Sequence, residues 1–419
     1  GPKERHGRPG MSSMEHLNLS REASASVSVS VDPALPPILG RLFTGTAWLA
    51  LRTPLQVFLG FWSIRLTVEA IGPDKNGAYN FAWGFGFVQF LLEFGMGSAL
   101  QRQISETWTK GDRSGVDRAL ACGLNFYAVV ALIQAAALLG VAYLALPLTE
   151  YQGDSYNLIF KLLWLQALSA PCYGLTMVVT SVLQAARRFE VIPRCEMLVV
   201  LARFAILWFG LQAGFDFFLI VLTQTLAHIA LSLVPATYIM IKELGYFPSV
   251  WGARWDDFSA LLPMSFYIFL IQLSVVLADK VDTTILGFAL ADPGPATTIY
   301  QIVSKPFLQI RQTGWTLTYL VMPAVASLAA ARDLSNLERL KYDGPRLHVG
   351  VLLPVTLLAW LYAAPFLDLW IPGSAPHAWL LRLFLVATAP LVISVFVQMS
   401  IGMGRIKVIA LAALAGSVV

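Results

Sequence analysis

ATTIYQIVSKPFLQIRQTGWTLTYLV, Ala296 to Val321, is long enough to cross a membrane as a helix, yet it carries a lysine, an arginine and three glutamines. A hydrocarbon core of about 30 Å needs about 20 residues of helix. Gln301, Lys305, Gln309, Gln312 and Thr316 follow one another at helical steps, and at roughly 100° per residue they fall within one arc of about 80°. The spacing predicts a spanning helix with one wet face. A charge at the bilayer centre costs about 2.5–3.5 kcal/mol on insertion scales, so such a face turns toward a bundle interior or a water-filled cavity.

The same device recurs outward from this stretch. Arg52, Gln56, Gly60, Ser63 and Thr67 share one side of an apolar block, Ser265, Gln272 and Asp279 share another, and Gln89 and Glu93 lie one turn apart. The chain as a whole is 57% hydrophobic and only 13% charged, far from a soluble domain with about a quarter of its residues charged. Apolar blocks predict spans near 40–68, 77–104, 118–147, 156–185, 191–213, 216–242, 258–289, 296–330, 347–370 and 377–403, and the start of another at 406. These blocks are too long for the roughly ten-residue alternating strands of a β-barrel. The fold class is therefore all-α and polytopic.

Lys and Arg cluster in alternate connections: Arg102 to Arg118, Arg187 to Arg194, Lys242 and Arg254, Arg332 to Arg346, and Arg405 with Lys407. The bias predicts a cytoplasmic N-terminus. Residues 1–39, with the tract SASVSVSVD and then PALPP, read as a disordered cytoplasmic tail. Shifting the chain by 221 residues lays Tyr79 on Tyr300 and Gly111-Asp112 on Arg332-Asp333. Two six-helix lobes are expected, at 40–243 and 258–419, related by a pseudo-twofold axis along the membrane normal. The second lobe is expected to be truncated in about its fifth helix.

The positive charges sit in short connections, not on a clustered basic face, which argues against nucleic acid. Cys122, Cys172 and Cys195 have neither metal nor redox spacing, so they read as small buried hydrophobes with no metal site. No connection is long enough for a catalytic domain, and no cofactor is expected; an enzyme is disfavoured.

The residues expected to line a cavity between the lobes are Arg52, Gln56, Glu93, Arg203, Gln301, Lys305, Gln309, Arg311 and Gln312. The alternative for the uncharged members is hydrogen-bonded contact between helices. Asp279, Lys280 and Asp282 close the seventh span. Asp279 and Asp282 read either as a coupling or gating rim to the cavity or as part of a helix-end charge cluster. Cations outnumber Glu93 at mid-span, which favours an anionic ligand such as a pyrophosphate.

The segment IGPDKNGAYNFAWGFGFVQFLLEFGMGSALQRQISE at 71–106, together with VDTTILGFALAD at 281–292, resembles the multidrug/oligosaccharidyl-lipid/polysaccharide (MOP) export superfamily, and within it the Wzx-type polysaccharide flippases. Gly77-Ala78-Tyr79 fits that pattern; its second-half counterpart Thr298-Ile299-Tyr300 lacks the glycine. The resemblance implies two six-helix lobes around a cationic cavity and alternating access. It also implies export of an undecaprenyl pyrophosphate-linked oligosaccharide, as in O-antigen and lipopolysaccharide biosynthesis, across a bacterial cytoplasmic membrane. A monomer acting beside glycosyltransferases and a polysaccharide polymerase would fit. The rivals are a cation-coupled drug antiporter of the MATE kind, which would want more mid-membrane carboxylates, and a peptidoglycan lipid II flippase.

Overall fold

The computed structural model describes residues 35–186, 188, 190–279, 281–319, 321, 325 and 333–403 of the 419-residue chain. Residues 1–34 of the expected tail, Lys280 and the start of the span at 406 lie outside the described residues, as do the side chains of Asp279 and Thr316. Every regular element among the described residues is helical. Among the described residues six helices are long and apolar enough to cross a membrane: 113–148, 153–185, 191–212, 217–242, 335–361 and 375–400. A seventh span forms if the pieces 255–263 and 265–276, bent by 50°, are taken together. The expected spans with the densest polar stripes are helical too, but more polar or broken.

Those breaks shape the centre of the molecule. Helix α1, Leu35–Gly84, is split at Gly72, whose φ of 76° and ψ of 171° leave the helical region. Glycine reaches that conformation without a Cβ clash, and Pro73 restarts the helix at a position where its missing N–H is no loss. Helices α2, Gly86–Leu92, and α3, Met96–Thr109, complete the second span in separate pieces. Between them Phe94 and Gly95 take φ of 51° and 69°. The second span is thus three short helices, in place of the one rod expected over 77–104.

Four long helices finish the first half: α4, Arg113–Gly140, extended through a π turn to Ala145; α5, Gly153–Ala185; α6, Val191–Gln212; and α7, Phe217–Lys242. Lipid tails are as apolar as leucine, so close packing holds such helices together more than any hydrophobic drive. One packed cluster joins Phe81, Leu138, Ile159 and Leu207, and another joins Leu100, Leu120, Val178 and Met240.

The second half runs through α8, Trp255–Asp279; α9, Asp282–Ala289; α10, Pro293–Tyr319; α11, Leu334–Leu361; α12, Ala363–Trp370; α13, Ala378–Val386; and α14, Ile393–Gly402. Its core around Val303, Phe307, Leu367 and Leu381 also takes in Ile64 of α1. The Trp370 indole N–H donates to the Phe61 carbonyl at 2.9 Å. The first arm of α1 therefore packs into the second half of the bundle, not only against the first.

The 221-residue repeat is visible in the backbone. Asp112 caps α4 by accepting from the Gly115 N–H, and Asp333 caps α11 by accepting from the Asn336 N–H. The Gly115 N–H and the Ser114 hydroxyl hold the Asp112 carboxyl below the usual carboxylate range. The Asn336 side chain and N–H do the same for Asp333. Asn80 and Gln301, themselves 221 residues apart, hydrogen-bond to each other. Equivalent residues that touch each other lie at the axis relating the two halves.

Around that contact the backbones come very close. A Cβ on Gly77 would stand 2.6 Å from the Gly294 Cα, and one on Gly294 would stand 2.9 Å from the Asp74 Cα. Small residues are what allow such an approach between membrane helices. Gly77→Ala is expected to push α1 and α10 apart at a cost of about 1–3 kcal/mol. A lowered unfolding temperature in detergent checks this; an unchanged one contradicts it.

Candidate functional site

Beneath the Gly77–Gly294 approach lies a cavity of about 420 Å³ walled by α1, α6, α7 and α10. α1 contributes Gln56, Ser63, Thr67, Asn76, Asn80 and Trp83, α6 contributes Arg203, α7 contributes Gln224, and α10 contributes Gln301 and Lys305. The roof is a hydrogen-bonded cluster. The Gln301 side-chain oxygen accepts from Asn76 at 3.0 Å and from Asn80 at 2.9 Å. Asn76 also donates to Thr298, whose hydroxyl donates to the Pro73 carbonyl at 2.7 Å.

Arg203 stands on α6 beside the Tyr79 hydroxyl and within electrostatic reach of His228. Its backbone carbonyl accepts from Gln224 at 2.7 Å, which ties α7 to α6 at the depth of the guanidinium. Lys305 enters from α10, one turn past Gln301 and immediately before Pro306. The Trp83 indole N–H has no hydrogen-bond partner among the described residues. No Asp or Glu is among the described residues that line the cavity. Its walls thus offer two cations and many donors, a surface complementary to an anion.

Of the residues expected at the site, Gln56, Arg203, Gln301 and Lys305 come together here. Arg52 and Glu93 do not line the cavity. Arg52 pairs with Glu196 of α6, one turn of α1 away from Gln56. Glu93 lies inside the first half in a space of about 10 Å³, where it accepts from the Tyr127 hydroxyl at 3.2 Å beside Gln89 and Gln134. Gln89 and Glu93 do share one face, as their one-turn spacing predicts, but that face turns into the first half and not toward the cavity.

Gln309, Arg311 and Gln312 lie further along α10 and also stand outside the cavity lining; Arg311 rests 5.2 Å above the Phe307 ring. Asp282 is in the first turn of α9, where a carboxylate complements the helix dipole, and it accepts from the Tyr300 hydroxyl. Asp279 ends α8, and its side chain lies outside the described residues.

Asn76 and Asn80, which form the roof, were not legible as a stripe because the second span was expected to begin at 77. Their spacing of one helical turn was the available signal. Gln224 and Glu196 were absent from the expected site as well, although His228 follows Gln224 by four residues and Arg203 follows Glu196 by seven, spacings that place each pair on one helical face.

With this geometry in view, comparison with known proteins is informative. Residues 49–209 match the MatE family model. A multidrug resistance MATE family transporter of the MOP superfamily, in an inward-facing conformation, superposes with a TM-score of 0.66 at 13% identity, covering 86% of this chain and 83% of that one. Its outward-facing counterpart gives 0.63 at 15% identity, covering 89% and 84%. The lipid II flippase MurJ, inward closed, gives 0.69 at 14% identity, covering 88% and 78%. The chain has the MATE transporter fold. No curated protein matches the sequence significantly. The MATE-like fold and the spans above make this a multi-pass membrane protein with the architecture of transporters and flippases.

In the Arg52–Glu196 pair, with side chains 21% and 45% exposed, each partner neutralises a charge that would be costly alone in a membrane span. Arg52→Gln or Glu196→Gln alone is expected to lower the amount of folded protein in the membrane, because each strands a charge. The exchange Arg52→Glu with Glu196→Arg is expected to restore both level and transport. Restored level with transport still absent would instead make Arg52 a ligand contact.

Proposed function

We propose that the protein is a flippase that moves a lipid-linked oligosaccharide, carried on a polyprenyl pyrophosphate such as undecaprenyl pyrophosphate, from the cytoplasmic to the outer leaflet of a bacterial cytoplasmic membrane. The observation that carries this reading is the chamber's charge. Arg203 and Lys305 line it, and among the described residues of its wall there is no carboxylate. An arginine can hold a phosphate oxygen pair in a fork while a lysine adds a point charge, and both act more strongly out of water. The amides of Gln56, Asn80 and Gln301 suit sugar hydroxyls. The prenyl tail remains in lipid.

Exchange of access follows from the same geometry. The roof at Asn76, Asn80 and Gln301 closes one end of the chamber through hydrogen bonds between the halves. Rocking the units 40–243 and 258–419 about the chamber would break this roof and open that end. Pro306, buried in α10 beside Lys305, removes a backbone hydrogen bond where such a motion would bend the helix.

A second reading, a cation-coupled antiporter of the MATE kind, is favoured by one observation: Glu93 is enclosed in the first half and hydrogen-bonded to Tyr127. A lipid II flippase shares the pyrophosphate chemistry and differs in the glycan. In proteoliposomes loaded with fluorescent lipid-linked oligosaccharide, Lys305→Gln and Arg203→Gln are each expected to slow flipping by about tenfold or more, with Glu93→Gln near the unaltered rate. Loss of drug export in Glu93→Gln, with lipid flipping absent from the unaltered protein, would establish the antiporter instead. Faster movement of lipid II than of other lipid-linked glycans would establish the third reading.

A further inference from the structure

The two halves share the 221-residue register of their Asp112 and Asp333 caps but differ in the buried side chains that follow. Tyr127 and His348 stand the same fifteen residues beyond the caps Asp112 and Asp333 (127 − 112 and 348 − 333). In the first half Tyr127 donates to Glu93, and the space between them is about 10 Å³. The same 221-residue register puts Gly314 in the place of Glu93, and a Cβ there would lie 3.5 Å from the His348 Cε1. The second half therefore has the imidazole in the place of the phenol and nothing in the place of the carboxyl.

His348 is 4% exposed, and neither of its ring nitrogens has a hydrogen-bond partner among the described residues. It lines a cavity of about 400 Å³ whose remaining wall is almost wholly apolar, with Leu352, Trp360, Leu385, Thr388 and Leu391 prominent. Leu352 and Leu391 occupy the repeat positions of Ala131 and Ala170, which line the small first-half space. The two sites are thus one place in the fold, filled by the protein's own side chains in one half and open in the other. A volume of this order falls in the range of roughly 300–1,000 Å³ typical of small-ligand sites.

We propose that this second-half cavity binds a single-chain carboxylic acid, its hydrocarbon along Leu352, Trp360 and Leu385 and its carboxyl on His348, in the position the Glu93 carboxyl takes against Tyr127. A neutral imidazole offers one donor and one acceptor. A carboxyl can meet either, whereas a hydrocarbon chain alone leaves both buried nitrogens unsatisfied. The site is separate from the cationic chamber, with which it shares no lining residue.

The test uses the full chain in nanodiscs with a palmitic acid that carries a photoactivatable diazirine, alongside its methyl ester. The acid is expected to label peptides of α11 and α13 about tenfold more than the ester, and free palmitate is expected to compete. His348→Phe should bring acid labelling down to the ester level, His348→Gln should retain much of it, and Leu352→Trp should remove labelling by filling the space. Equal labelling by acid and ester would mean that ordinary lipid chains occupy the groove, and would overturn the proposal. Undiminished acid labelling in His348→Phe, or labelling elsewhere in the chain, would overturn it too. The acid-to-ester comparison on the unaltered chain decides the matter even where a variant fails to fold.

Discussion

The hydrogen-bonded contact of Asn76 and Asn80 with Gln301 is the constraint on which the rest of the arrangement depends. It lies at the axis between two similar halves, and it forms only because Gly77 and Gly294 let the backbones approach. Amide contacts between membrane helices are individually modest, about 0.6 kcal/mol on average. Here two donate to the Gln301 oxygen, and a chain from Asn76 through the Thr298 hydroxyl to the Pro73 carbonyl adds cooperative strength. A roof of that strength holds the halves together without locking them. A leucine cluster in the same place would give no polar lining beneath it, and a buried ion pair would be much harder to part.

Below the roof, the chain resolves the cost of mid-membrane charge in two ways. Arg52 is met by Glu196 from the neighbouring helix. Arg203 and Lys305 stand in the wall of a polar chamber lined by amides and hydroxyls, with no carboxylate among its described lining residues. The first arrangement ties α1 to α6, and the second places two basic side chains in the wall of the chamber. Helix α1 is central: one face pairs with α6, another lines the chamber, and residues 61–64 pack into the core of the second half.

Much of the architecture was legible in the sequence because membrane helices announce themselves by length and composition. The spans at 118–147, 156–185, 191–213 and 216–242 differ from the observed helices by a few residues at most ends. The 221-residue repeat was legible from few identities, and the Asp112 and Asp333 caps now give it a structural basis. Gln301 and Lys305 were legible as a wet stripe because α10 is a continuous helix through Pro306. Glu93 shares a face with Gln89 as its spacing implies, but periodicity within one span does not say which helices that face meets, and it turns into the first half. Arg52 was misread because an ion pair between distant segments leaves no trace in either one alone. The lone imidazole of His348 was invisible until the halves could be compared in space.

In the function proposed above, the chamber between the halves receives an anion. Binding of farnesyl pyrophosphate to the purified protein in nanodiscs, compared with farnesol and with a lipophilic cation such as tetraphenylphosphonium, tests it most directly. The account predicts that the pyrophosphate binds at least about tenfold more tightly than either and that added salt weakens this preference, as expected where charge is partly screened. Equal binding of the alcohol and the pyrophosphate, or a preference for the cation, would contradict it.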